Sequence, residues 1–300
     1  MTIRFVAFAI CTAACLATVH GQRGTVSIYV DVSPRSCSAN AADLVLTVDG
    51  ERVPVANAMP GPHPLSTVAL FDRSGSVLWM PIESPLKNPF EQTVRGLVQA
   101  IRKGDNFQLG TIGSKVLFSS TNLTDEATAM KAARELLQQS QRSLMGEPSP
   151  IWDALYESFG VADGSPGLRS VIIFTDAMPT ASDRRFDDVQ AEALRRGVVI
   201  SALVAGDRLL PSSRIQIHGR TEAMQRLVEE TGGDYRELEQ RTDRPAFLLG
   251  ELLNKLRDRC RLDFVPAVGD DVAHQISVTS QGRPVRAPAR VRWRMLPPAW

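Results

Sequence analysis

Asp72, Ser74 and Ser76 close an apolar run, Val68-Ala69-Leu70-Phe71, in the pattern Asp-x-Ser-x-Ser. One carboxylate and two hydroxyls at this spacing converge on a single point, because Gly75 lets the turn between the serines fold back. Donors made only of oxygen suit a hard divalent cation. Mg²⁺ prefers six oxygens in an octahedral array and keeps several waters, so one direct carboxylate or none leaves a weakly screened cation that seeks another anion. A partner's Asp or Glu can complete such a shell. A second acid, Asp176, ends the most apolar segment of the chain, residues 170–175, Ser-Val-Ile-Ile-Phe-Thr.

The elements that carry these acids read as buried strands. Apolar runs without alternation are what a parallel strand covered on both faces requires. Between residues 66 and 258, strand-like and helix-like segments alternate. Phe90, Val94, Leu97, Val98 and Ile101 recur at helical spacing; residues 107–112 form a second strand, and 115–119 return as its antiparallel edge partner. A helix follows from Asp125 with Thr124 as its cap, then one carrying Ile151, Leu155 and Phe159. Helices over 186–196, 222–230 and 245–257 alternate with strands over 198–204 and 235–238. This predicts a doubly wound, mostly parallel α/β sheet with helices on both faces. Ligands of such sheets sit outside the carboxyl ends of the strands, where both Asp72 and Asp176 stand.

The flanks differ in character. Residues 25–32 read as a short strand, and 44–48 with 53–55 as a hairpin turning at Asp49-Gly50. Residues 59–64, rich in proline, read as a linker. Beyond Cys260 the chain returns to strands over 261–265, 274–279 and 291–295, which are expected to pair with the amino-terminal ones as a small β-sandwich. The expected organisation is a signal peptide over 1–21, a β segment and linker over 22–65, the α/β domain over 66–258 and a β segment over 259–300.

The strand ending Asp72-x-Ser74-x-Ser76, a hydroxyl at Ser149 before a helix, and a strand ending Phe174-Thr175-Asp176 resemble a von Willebrand factor type A domain with its metal-ion-dependent adhesion site. The resemblance covers about residues 66–258. Ser149 is placed by counting back from Ile151-Trp152-Asp153-Ala154-Leu155, which resembles the family's helix start. The resemblance implies Asp72, Ser74, Ser76, Ser149 and Asp176 as metal ligands. It implies Mg²⁺ as the cation, with Mn²⁺ or Ca²⁺ as alternatives, and a protein partner that offers an Asp or Glu carboxylate. Two positions depart from the family: Ser149 stands where Thr is usual, and Ala177 follows Asp176 where Gly is usual. The flanks resemble those of secreted bacterial proteins in which a type A domain lies between short β segments and the last carries a His, as His274 here.

Residues 1–21 read as a secretory signal, with Arg4 ahead of an apolar run from Phe5 to Ala17. Removing it takes 34 basic side chains to 33, against 33 acidic ones. That balance carries no strong field toward nucleic acid or membrane, and no later run is long enough to span a bilayer. The expected location is secreted or periplasmic. The two cysteines beyond the leader, Cys37 and Cys260, are an even pair in an oxidising compartment, and a disulfide between them is expected. No zinc-type histidine pair, phosphate loop or nucleophile elbow is present in the sequence, so a binding protein is expected rather than an enzyme. A metal-independent scaffold with the same fold is the alternative. A metal-dependent hydrolase ranks third, because no general base accompanies the cation.

Overall fold

The computed structural model describes residues 25–39, 43–73, 89–120, 122–139, 149–163, 167–206, 221–238, 245–266 and 271–293. The expected signal peptide, Ser74 and Ser76 lie outside these residues.

A six-stranded sheet forms the centre. In chain order its strands are β5 (Leu65–Asp72), β6 (Asn106–Ile112), β7 (Val116–Phe118), β8 (Leu168–Thr175), β9 (Val199–Ala205) and β10 (Tyr235–Leu238). In space they run β10-β9-β8-β5-β6-β7, parallel except for β7, which returns antiparallel to β6 as expected. All eight residues of β5 are buried. Its side chains divide by the strand period of two: Ala69 and Phe71 enter one core, Val68 and Leu70 the other. That division explains why the sequence shows a continuous apolar run.

Among the described residues, six helices cover the two faces. The Ala69 face packs against α2 (Pro89–Gln99), α3 (Glu126–Gln139) and α7 (Pro245–Arg257), through side chains such as Leu97, Ala133 and Leu253. The Val68 face packs against α4 (Ile151–Ala162), α5 (Phe186–Arg196) and α6 (Glu222–Thr231), through side chains such as Leu155, Val189 and Leu227. From β5 the chain first moves outward to β6 and β7, then returns to β5's other side as β8 and continues to β9 and β10. The strand order therefore reverses between β5 and β8, and the crevice at their carboxyl ends is the switch point of the sheet.

The flanks fold together. Strands β1 (Val26–Val30) and β4 (Val55–Met59) pair antiparallel with β11 (Cys260–Phe264). A second sheet orders β13 (Arg283–Pro284), β12 (Ala273–Ser280), β2 (Leu44–Val48) and β3 (Glu51–Val53), with β14 (Arg290–Arg292) also on β12. Ile28, Leu46, Leu262, Phe264, Val278 and Trp293 belong to one core shared by the two sheets, which makes a small sandwich. Cys37, in α1 (Pro34–Ala39), is bonded to Cys260 with Cα atoms 5.7 Å apart. The bond ties the amino-terminal flank to the strand that follows α7.

Two local expectations change. The second hairpin strand, expected over 53–55, is split by Pro54: β3 ends at Val53, and β4 begins at Val55 in the other sheet and runs to Met59, which displaces the start of the linker to Pro60. Proline has no N–H to continue a ladder, so it marks the crossing from one sheet to the other. The cap of α3 is Asp125 rather than Thr124; its carboxylate accepts the Thr128 N–H at 2.9 Å, while the Thr124 hydroxyl donates to the same carboxylate. The hairpin turn itself has the primed form expected, with positive φ at both Asp49 (50°) and Gly50 (84°).

Candidate metal-ion site at the switch point

Asp72 is the last residue of β5, and the register that pairs Phe71 with Phe174 sets it beside Thr175, the last residue of β8. Thr175 donates its hydroxyl to Asp72 Oδ2 at 2.7 Å and accepts the Ala177 N–H at 3.0 Å. One threonine therefore orients the acid of one strand and starts the turn that leaves the next. Asp176 follows at once, and its Oδ1 accepts the Met178 N–H at 3.0 Å. Both acids are withdrawn from solvent: Asp72 is 4% and Asp176 0% exposed.

Ser149 reaches the same crevice from a segment far away in sequence. Its Oγ lies 3.5 Å from Asp72 Oδ1 and 3.4 Å from Oδ2, and the residue is 3% exposed. The structure thus brings Ser149 against Asp72 at the carboxyl end of β5, and Asp176 follows directly on the neighbouring strand β8. Ser74 and Ser76 fall outside the described residues.

The start of α4 is held by the loop that follows Asp176. Pro150 supplies no side-chain cap, and the donors that a helix start leaves open are met from elsewhere. The Trp152 N–H donates to the Ser182 hydroxyl at 3.0 Å. In the opposite direction, the Asp153 carboxylate accepts the N–H groups of Asp183 and Arg184, each at 2.9 Å. The Arg184 guanidinium lies 4.2 Å over the Tyr156 ring. Sequence reasoning did not find Thr175, Ser182 or Asp153 as parts of this site. Only the hydroxyl at the end of β8 had a visible signal, namely its place one residue before a strand-end acid.

The donor set fits a hard cation. Two carboxylates and the Ser149 hydroxyl supply oxygen alone, the chemistry that Mg²⁺ accepts and that softer metals do not select. Among the described residues, no group of three or more His, Cys, Asp or Glu could hold a metal ion, so hydroxyls would have to provide part of any shell here. Ala177, in the position where the family usually has Gly, adopts φ = 60° and is buried. The backbone there is left-handed, a conformation that an L-residue adopts at a cost.

The central unit has a von Willebrand factor type A-like α/β fold, as its strand order and the acids at its switch point imply. No family model and no curated protein matches the chain. Among solved structures, an aerotolerance-related membrane protein from Bacteroides fragilis is 15% identical with a TM-score of 0.48, over 64% of this chain and 98% of its own. A von Willebrand factor type A protein from Catenulispora acidiphila is 10% identical with a TM-score of 0.48, over 90% of this chain and 73% of its own. The conserved hypothetical protein BatB from Bacteroides thetaiotaomicron is 16% identical with a TM-score of 0.46, over 64% and 98%. Among the described residues, no helix is long and apolar enough to cross a membrane.

Proposed function

We propose that this chain is an exported protein-binding module that docks a partner's Asp or Glu side chain through a divalent cation at the switch point. The observation that carries this reading is the contact of the Ser149 hydroxyl with the buried Asp72 carboxylate where the strand order reverses, with Asp176 buried just past the end of the neighbouring strand. Asp72, Ser149 and Asp176, with Ser74 and Ser76, which follow Asp72 in the sequence, would hold the cation, Mg²⁺ first and Mn²⁺ or Ca²⁺ as alternatives. When bound, the cation supplies an open coordination position for an incoming carboxylate.

The chain's own groups prepare that position. Thr175 fixes the Asp72 carboxylate through its hydroxyl, and the Met178 N–H fixes Asp176. Ser149 has a rotatable hydroxyl, which points its proton at Asp72 in one orientation and can turn a lone pair outward in another. Binding rather than catalysis is proposed, since no general base is assigned beside the cation. The bonded Cys37–Cys260 pair supports a secreted or periplasmic location.

A metal-independent scaffold has one observation in its favour: the Asp72 carboxylate already takes hydroxyl hydrogen bonds from Thr175 and lies near that of Ser149. Calorimetric titration with Mg²⁺ and Mn²⁺, run on the parent and on Asp72→Ala, separates the two. Saturable binding in the parent and none in the variant is the expected result. A parent that binds neither ion overturns the cation reading and leaves the scaffold.

A further inference from the structure

Ser149 poses a geometric problem for the proposed site. A β-branched Thr is stiff about χ1, whereas Ser is not, so its hydroxyl gains less from its own side chain to hold it in place. Precision must come from the backbone that carries it. Pro150 supplies one restraint, since a residue before proline is confined to extended conformations.

Thr180 supplies the rest. Its Oγ1 accepts the Ser149 N–H at 2.8 Å, and its own N–H donates to the Ser149 carbonyl at 3.1 Å. Both polar groups of the Ser149 backbone thus bond to one residue, 31 positions further along the chain, the carbonyl also accepting the Ile151 N–H at 3.0 Å. Thr180 lies four residues after Asp176. It therefore ties the segment carrying the hydroxyl directly to the segment carrying the second acid. The Ser182 and Asp153 bonds continue the same seam along the first turn of α4.

We propose that Thr180 is a positioning residue of the cation site: its hydroxyl and its N–H clamp Ser149, and the clamp fixes where the Ser149 hydroxyl meets the ion. The proposal builds on the cation reading above and assigns a further residue to it. Thr180 is itself exposed, so exchanging it for an isosteric side chain removes a hydrogen bond without opening a core. The clamp also explains how the site can use Ser in place of Thr: the rigidity that branching would give is moved to a two-bond contact with the facing loop.

The test is Mn²⁺ titration of the full chain as parent, Thr180→Val and Thr180→Ser, with the thermal midpoint and the Ser149 amide exchange rate of each measured without metal. Loss of an outer-shell partner typically weakens a metal about tenfold or more. Thr180→Val is expected to show that loss at a near-parental midpoint, with faster Ser149 exchange, and Thr180→Ser is expected to restore both affinity and protection. Parental Mn²⁺ affinity in Thr180→Val overturns the clamp while leaving the site standing. Equal loss in Val and Ser variants with lowered midpoints also overturns it, because the role would then be structural. A parent that binds no Mn²⁺ removes the site and the clamp together. Should Thr180→Val not fold, Thr180→Ala removes the same acceptor, and parental Mn²⁺ affinity there overturns the clamp.

Discussion

The two ends of the central sheet both bury acids, and they hold them in different ways. At the amino-terminal end, Asp105 meets the Arg257 guanidinium at 2.7 Å with both side chains 2% exposed, and also accepts the N–H groups of Leu65 and Arg102. Nearby, Asp234 meets Lys255 at 2.9 Å, Arg259 at 3.6 Å and Arg286. Arg286 comes from the flanking sandwich, and Lys255 also reaches Asp31 beside β1, so these ions tie the sandwich to the sheet. At the carboxyl-terminal end, Asp72 takes a hydroxyl from Thr175, and the seam beyond it joins hydroxyl and backbone amide groups with the Asp153 carboxylate. Ion pairs make one end a fastening. Hydroxyl and amide donors hold the acids at the other.

One pair of substitutions tests this contrast at its widest. Asp105→Asn leaves the buried Arg257 cation opposite an amide, and removing one partner of a buried pair costs about 3–5 kcal/mol. Ser182→Ala removes a neutral acceptor from the start of α4, worth about 1 kcal/mol. Urea unfolding of both variants is expected to show the first loss as several times the second. Comparable losses would mean that the switch-point seam is as strong a fastening as the ionic end, and the division between them would fail.

A smaller effect sharpens the same contrast at the residue that departs from the family's pattern. Ala177 holds φ = 60°, and the left-handed conformation costs an L-residue roughly 1–2 kcal/mol. Ala177→Gly relieves that strain, but it also removes a buried methyl worth about 0.8 kcal/mol and adds glycine's freedom to the unfolded chain, about 0.5–1 kcal/mol. These terms nearly cancel. The expected change in unfolding free energy is below about 1 kcal/mol in either direction. A gain well above that would show that the turn after Asp176 stores strain, in which case the seam would be working against its own backbone.

The parts of this architecture legible in the sequence are those set by local pattern. Unbroken apolar runs marked β5 and β8 as buried parallel strands, and the acids could be located because each follows directly on such a run. Asp49-Gly50 announced its turn because two positive φ values need such residues. Ser149 was reachable only through the helix start that follows it. The clamp was not legible: Thr180, Ser182 and Asp153 lie about thirty residues from their partners, and nothing in an exposed Thr or Ser shows which distant N–H it will accept. Thr124-Asp125 misled in a smaller way, since either residue can cap a helix and only the fold selects one.

The smallest effect concerns pH, and it falls at the ionic end alone. His63, in the linker, is buried against the sandwich, edge-on to Tyr29 with ring centroids 5.4 Å apart. Burial lowers its pKa, and backbone hydrogen bonds to Met59 and Arg259 oppose that only in part. The folded chain therefore resists protonation at His63, whereas the unfolded chain takes up a proton near the ordinary value of about 6.5. Where the unfolded state binds more protons, stability rises with pH. The contribution from His63 is thus fully present above the ordinary histidine range and is lost as pH falls through it toward the lowered folded value. In His63→Phe, unfolding free energy measured between pH 8 and pH 5 should fall less steeply than in the parent, since the subtraction of the two curves isolates this one residue. Identical slopes would mean that His63 keeps its ordinary affinity for protons, and that the amino-terminal end is less closed to water than its ion pairs imply.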